Sequence, residues 1–133
     1  MSLPQSSDSM AFVSAFCGAW ASRDVAHIIS FLAPDVQWEN VPIGIIHGRA
    51  AAAERIGAAF VHAASITWSI LDIGLSKDGR VLTERIDVLS FRRGVVNLRI
   101  MGIFEVGDTG ITLWRDYFDL ADYERQLSLR GGA

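Results

Sequence analysis

The hydrophobic period of this chain changes near Ser65, and few folds accommodate that change. Before it, apolar residues return every three or four positions, as on one face of a helix. Met10, Val13, Phe16/Cys17 and Trp20 form such a stripe, with Asp8 or Ser9 placed to cap its start. Val25, Ile28, Ile29 and Leu32 form a second, shorter one behind Ser22 or Asp24, and Pro34 stops it. DVQWEN then reads as a short strand ending at Pro42, PIGIIHG as an apolar loop, and GRAAAAERIGAAFVHAA as a third helix carrying Ala53, Ile56, Phe60 and Ala63/Ala64. After Ser65 the runs ITWSILDIGL, RVLTERIDVLSF, VVNLRIMGIFEV and ITLWRDYFD are rich in β-branched and aromatic residues. KDG, RRG and GDTG separate them at hairpin spacing. LADYERQL closes the chain as a helix that Asp119 caps. Helices followed by a meander predict an α+β fold, a curved antiparallel sheet packed against N-terminal helices.

A length of 133 residues predicts a single domain over 1–133, with an ordered core at about 9–128. Half the residues are hydrophobic and 20% charged, enough apolar surface for a real core and too much for a disordered chain. A net charge of −3 without a basic stripe argues against nucleic acid and anionic membranes as partners. One cysteine, Cys17, leaves no internal disulfide and no cysteine-built zinc site; on the first apolar stripe it reads as a core residue. His27, His47 and His62 show no ligand spacing, so no metal is expected. The polar MSLPQSSDS has no export pattern, and no apolar run reaches the roughly 18 residues of a membrane helix. The expectation is a cytoplasmic protein.

Two strands carry charge where a covered face needs apolar residues. In RVLTERIDVLSF, Arg85 and Asp87 point the same way and share their row with Leu89 and Phe91. In ITLWRDYFD, Asp116 shares its row with Trp114 and Phe118. An ion pair on an open face is the plain alternative and is worth little. If both rows face inward, one guanidinium and two carboxylates meet in an apolar cavity. One carboxyl can then hold a proton while the other stays ionised.

TERIDVL (Thr83–Leu89), WRDYFDL (Trp114–Leu120), ENVP (Glu39–Pro42) and HGR (His47–Arg49) closely resemble limonene-1,2-epoxide hydrolase, in order and spacing, from about Met10 to Leu127. The resemblance implies a deep cone of the kind found in nuclear transport factor 2 and ketosteroid isomerase, with no cofactor, metal or covalent intermediate. It implies Asp116 as the general base toward water, Asp87 as the general acid toward the epoxide oxygen, Arg85 as the bridge between them, and Asn40 as the residue that orients the water. A small apolar epoxide would sit among Trp38, Val41, Ile45, Phe60, Leu89, Leu98, Met101, Ile103 and Phe118, with the Ile43–Ile46 loop in the pocket wall.

In one place the chain departs from the family pattern: Trp38 stands where the family has tyrosine. Indole donates a hydrogen bond but accepts none, so Trp38 is at most an optional third contact to the water. That favours a rival reading in which a substrate hydroxyl opens the epoxide in place of water. Isomerase or cyclase action and a binding module for an apolar ligand are further alternatives. The Arg85–Asp87–Asp116 trio argues against both, because neither needs so costly a cluster. Trp20 and Trp68 read as core aromatics, and Glu84 and Arg115 as a solvated or interface pair. Ile86, Val88, Leu113 and Tyr117 on the outer sheet face predict a homodimer.

Overall fold

The computed structural model describes residues 6–129. Helix α1 (Ser6–Ala19) runs into a short 3₁₀ turn (Trp20–Ser22) and helix α2 (Val25–Ile29). Asp24 caps α2, its side chain accepting from the His27 N–H at 3.2 Å. Strands β1 (Leu32–Asn40) and β2 (Gly44–His47) follow, then helix α3 (Arg49–His62). The second half is β3 (Ala63–Leu75), β4 (Val81–Phe91), β5 (Gly94–Gly107), β6 (Gly110–Tyr117) and helix α4 (Leu120–Leu129). Asp119 caps α4 by accepting from the Asp122 N–H at 3.1 Å.

The six strands form one sheet in the order β2-β1-β6-β5-β4-β3. All neighbours are antiparallel except β1 and β6, which run parallel. That pair brings the first strand beside the last, and it sets Trp38 against Trp114 and Asn40 against Asp116. Four local readings of the sequence change. Helix α1 starts at Ser6, so Asp8 and Ser9 lie inside it and do not cap its start. Helix α3 ends at His62, so Ala63 and Ala64 open β3 and do not extend the helical face. The strand expected over DVQWEN begins earlier, at Leu32, and runs through Pro34. Proline is tolerated there because the β1–β6 register shifts between Leu32 and Gln37, so no ladder donor is missed. The apolar stretch after Pro42 is partly strand: Gly44–His47 pairs back onto β1.

The α1 stripe is buried as its period requires: Val13, Phe16, Cys17 and Trp20 are all nearly inaccessible. Phe16 sits at the centre, edge-on to Trp20, Trp68, Phe104 and Trp114. At the sheet's far end Gly110 lets the β5–β6 turn pass under β1. Its φ of +125° favours glycine, and a Cβ there would lie 2.6 Å from the Phe31 carbonyl oxygen. No helix of the described residues is long and apolar enough to cross a membrane.

Candidate active site

The inward rows of β4, β5 and β6 converge on Arg85. Its side chain is inaccessible to solvent and meets a carboxylate on each side. Nε donates to Asp87 Oδ1 at 3.0 Å and Nη2 to Asp87 Oδ2 at 2.9 Å. Nη1 and Nη2 donate to Asp116 Oδ1 and Oδ2 at 3.1 and 3.0 Å, and Nη1 also reaches Thr83 Oγ1 at 3.4 Å. All five donors of a guanidinium are thereby engaged, two of them on each acid in fork geometry. The indole of Trp68 covers the guanidinium face, 4.1 Å from ring centroid to Cζ.

This arrangement needs room on β5, and Gly102 supplies it. A Cβ at Gly102 would fall 2.5 Å from Arg85 Nη1 and 2.7 Å from Asp116 Oδ1. The strands bring the acids together from either side of that gap, since Gly102 pairs with Thr83 on β4 and with Asp116 on β6.

The two carboxyl groups are not equivalent. Three N–H groups converge on Asp116, because Trp114 Nε1 donates to its Oδ2 at 3.0 Å beside the two bonds from Arg85. Asp87 receives only the Arg85 fork. Burial pushes the Asp87 carboxyl up to about 6, the Arg85 charge pulls it back, and the Asp116 charge adds to the rise. Burial works against the charge of Arg85 itself, but the two carboxylates more than offset it and hold the guanidinium protonated. The cluster therefore favours a proton on Asp87 as pH falls toward about 6. Burial also pushes the nearby Cys17 thiol up to about 12, which keeps it neutral and unreactive.

A cavity of about 180 Å³ opens onto Asp87 and Asp116. Of the side chains expected there, Asn40, Trp38, Leu89, Leu98 and Phe118 line it. Five do not. Met101 and Ile103 are one residue out of step with the inward row Leu98, Ile100, Gly102, so they face outward, and Met101 is half-exposed. Ile45 pairs with Glu39 and shares its outward side, leaving Ile43 in the wall. Val41 lies beyond the end of β1 and is exposed. Phe60 is buried beneath Trp20 and Arg23, while Ile56 and Ala59 reach the cavity in its place. Arg115 pairs with Glu39 at 2.8 Å and not with Glu84.

Sequence reasoning missed other wall residues. Trp20 and Trp68 belong to the core as expected and also line the cavity, as do Arg55 and Tyr123. The signal for Trp68 was its register, since it pairs directly with Asp87 across β3 and β4. Trp38 Nε1 is enclosed with no hydrogen-bond partner among the described residues, and the ring lines the cavity. Among the described residues no three His, Cys, Asp or Glu side chains gather as metal ligands.

The limonene-1,2-epoxide hydrolase catalytic domain model matches residues 7–128. The chain is 35% identical over 120 residues to epoxide hydrolase EphG of Mycobacterium tuberculosis, covering 90% of this chain and 78% of that one. This chain belongs to the limonene-1,2-epoxide hydrolase family. A solved limonene-1,2-epoxide hydrolase-like epoxide hydrolase of M. tuberculosis superposes with a TM-score of 0.82 at 34% identity, over 96% of this chain and 94% of its own. At 21% identity, an NTF2-like protein of Burkholderia pseudomallei superposes with a TM-score of 0.75 over 88% of this chain and 95% of its own, a likeness of fold alone. Membership of the limonene-1,2-epoxide hydrolase family agrees with the motifs from Thr83 to Leu89 and from Trp114 to Leu120, which supply Asp87 and Asp116 in the cavity wall and the buried Arg85 that bridges them.

Proposed function

We propose that the chain adds water to a small, largely apolar epoxide to give a vicinal diol in one step. The observation that carries this reading is the pair of inequivalent carboxyl groups bridged by Arg85 at the floor of an apolar cavity. Asp116, ionised, removes a proton from a water as the water oxygen attacks one oxirane carbon. The C–O bond on that carbon breaks with its electron pair moving to oxygen, and Asp87 delivers its proton there. Asp116 ends protonated and Asp87 ionised, and proton exchange with solvent restores the starting state. No bond forms between protein and substrate, and no cofactor takes part.

Asn40 neighbours Asp116 across the parallel β1–β6 pair, which suits its amide to orienting the water beside the base. Ring strain already lowers the barrier to opening, so an aimed nucleophile and a proton for the leaving oxygen supply what the reaction lacks. Trp38, Leu89, Leu98 and Phe118 form the apolar wall that holds the hydrocarbon part. The test is diol formation from a panel of neutral racemic epoxides, read by mass spectrometry. Turnover by the parent and its loss in Asp87→Asn supports the reading, and equal turnover by both overturns it.

The outer face of the sheet favours a homodimer as the working form. Met101 and Tyr117 are about half-exposed there, beside Ile86, Val88 and Leu113. Light scattering at micromolar concentration should give twice the 14.6 kDa chain mass, and the single-chain mass would exclude the dimer.

A further inference from the structure

The cavity has a polarity that the hydrolysis chemistry does not use. At its floor lie two acids. At its mouth, on α3, stands Arg55, which among the described residues lining the cavity alone carries a positive charge. Arg80 pairs with Glu105, Arg115 with Glu39 and Arg125 with Asp122, whereas the exposed Arg92, Arg93 and Arg99 form no ion pair among the described residues and lie outside the cavity wall. Among the described residues no carboxylate lies within ion-pair distance of Arg55. Arg55 precedes Ala59 by one helical turn, so the two share a face of α3, and Ala59 is also part of the cavity wall. Across the mouth, α4 contributes the half-buried Tyr123, whose ring stands edge-on to Phe118 at 6.0 Å. Burial pushes the Tyr123 hydroxyl up from its ordinary value while the Arg55 charge pulls it down, so the phenol and the guanidinium feel one another.

We propose that Arg55 and Tyr123 form an anion-binding rim, and that the preferred substrate is an epoxide bearing a carboxylate at the end opposite its oxirane ring. The inference deepens the epoxide-hydrolase reading and rests on it for the word substrate. The guanidinium fork matches a carboxylate, and the phenol adds a further donor. Orientation follows from charge. The acids at the floor repel an anionic end and accept the oxirane, while the rim attracts the anion. The cavity sets the spacing: a void of about 150 Å³ holds benzene, so the 180 Å³ here holds a hydrocarbon unit slightly larger than one aromatic ring. A carboxylate joined to such a unit emerges at the mouth.

The probes are para-oxiranylbenzoate and its neutral isostere para-oxiranylbenzamide, together with the diols derived from each. Trp20, Trp38, Trp68 and Trp114 line the cavity, so quenching of indole fluorescence reports diol binding without any need for turnover. At low salt the parent should bind the acid diol roughly fivefold or more tighter than the amide diol, the scale of one partly solvated charge-assisted contact. Arg55→Gln should bring that ratio to about one, Arg55→Lys should keep part of it, and added salt should erode it in the parent. The same ranking is expected in kcat/KM for the two epoxides. Equal affinities in the parent, or a preference that persists in Arg55→Gln, would overturn the rim. Acid-selective diol binding that depends on Arg55, with neither epoxide hydrolysed, would uphold the rim and fail the hydrolase reading instead.

Discussion

Trp38 lies flat against Trp114, with ring centroids 3.9 Å apart and planes 6° from parallel, and Trp114 in turn donates to Asp116. The stack therefore braces the donor that holds Asp116. Trp38→Phe keeps a flat face and removes an N–H that has no partner among the described residues, so kcat should stay within about threefold of the parent, less than the effect of one hydrogen bond. Trp38→Ala removes the face. It should cost about 3–5 kcal/mol in denaturant unfolding, as large-to-small changes in a core do, and should lower kcat more than it raises KM. A large loss of kcat in Trp38→Phe would show instead that the indole N–H takes part in the reaction.

Either acid alone suffices to keep Arg85 neutralised. In Asp87→Asn the guanidinium retains Asp116, and in Asp116→Asn it retains Asp87, which then ionises. Both single variants should fold, yet each should lose on the order of 10²-fold or more in kcat, the contribution of a general acid or base. The double variant leaves a buried cation unpaired and should lose about 3–5 kcal/mol of stability or fail to fold. Arg85→Lys should be nearly as inactive as Arg85→Ala, because an ammonium cannot present two forks at once. Circular dichroism and single-turnover rates separate folding from chemistry in each case.

The raised pKa of Asp87 fixes two pH dependences. If Asp87 is the proton donor, as proposed, it must be protonated, so kcat/KM should fall as pH rises through about 6. Stability has the same sign. With the folded value raised above the unfolded one, the folded state binds the extra proton. The contribution of Asp87 is therefore full below pH 3.8 and is lost as pH rises through about 6. In Asp87→Asn that part of the stability profile should flatten, as urea midpoints across the interval will show.

Gly102→Ala places a methyl carbon 2.5 Å from Arg85 Nη1 and 2.7 Å from Asp116 Oδ1. Neither atom can yield without giving up a fork. Overpacking of this kind costs about 1–3 kcal/mol, and the activity loss should exceed what that destabilisation explains if the displaced atoms belong to the proposed catalytic cluster. Parent-like kcat in a folded Gly102→Ala would mean that the Arg85–Asp116 geometry is not needed.

Much of this was legible from parity and period. Arg85, Asp87 and Asp116 stood out because each shared a strand row with large apolar side chains, and the structure buries all three. The helical stripe from Val13 to Trp20 and the capping roles of Asp24 and Asp119 were local signals that tertiary contacts did not override. Assigning cavity residues by hydrophobicity alone failed where parity was set aside, as at Met101 and Ile103. The parallel β1–β6 pairing joins residues far apart in sequence, and no local pattern announces it. That pairing puts Trp38 on Trp114 and Asn40 beside Asp116, so the least legible contact is the one that completes the site.

The most direct measurement is a single turnover in oxygen-18 water, with enzyme in excess over a neutral epoxide and the diol analysed by mass spectrometry. Direct attack by a water held between Asp116 and Asn40 puts one solvent oxygen in every diol molecule from the first turnover. Unlabelled first-turnover diol would mean that a carboxylate oxygen attacked the epoxide and was passed to product through an ester, which contradicts the assignment of Asp116 as a base.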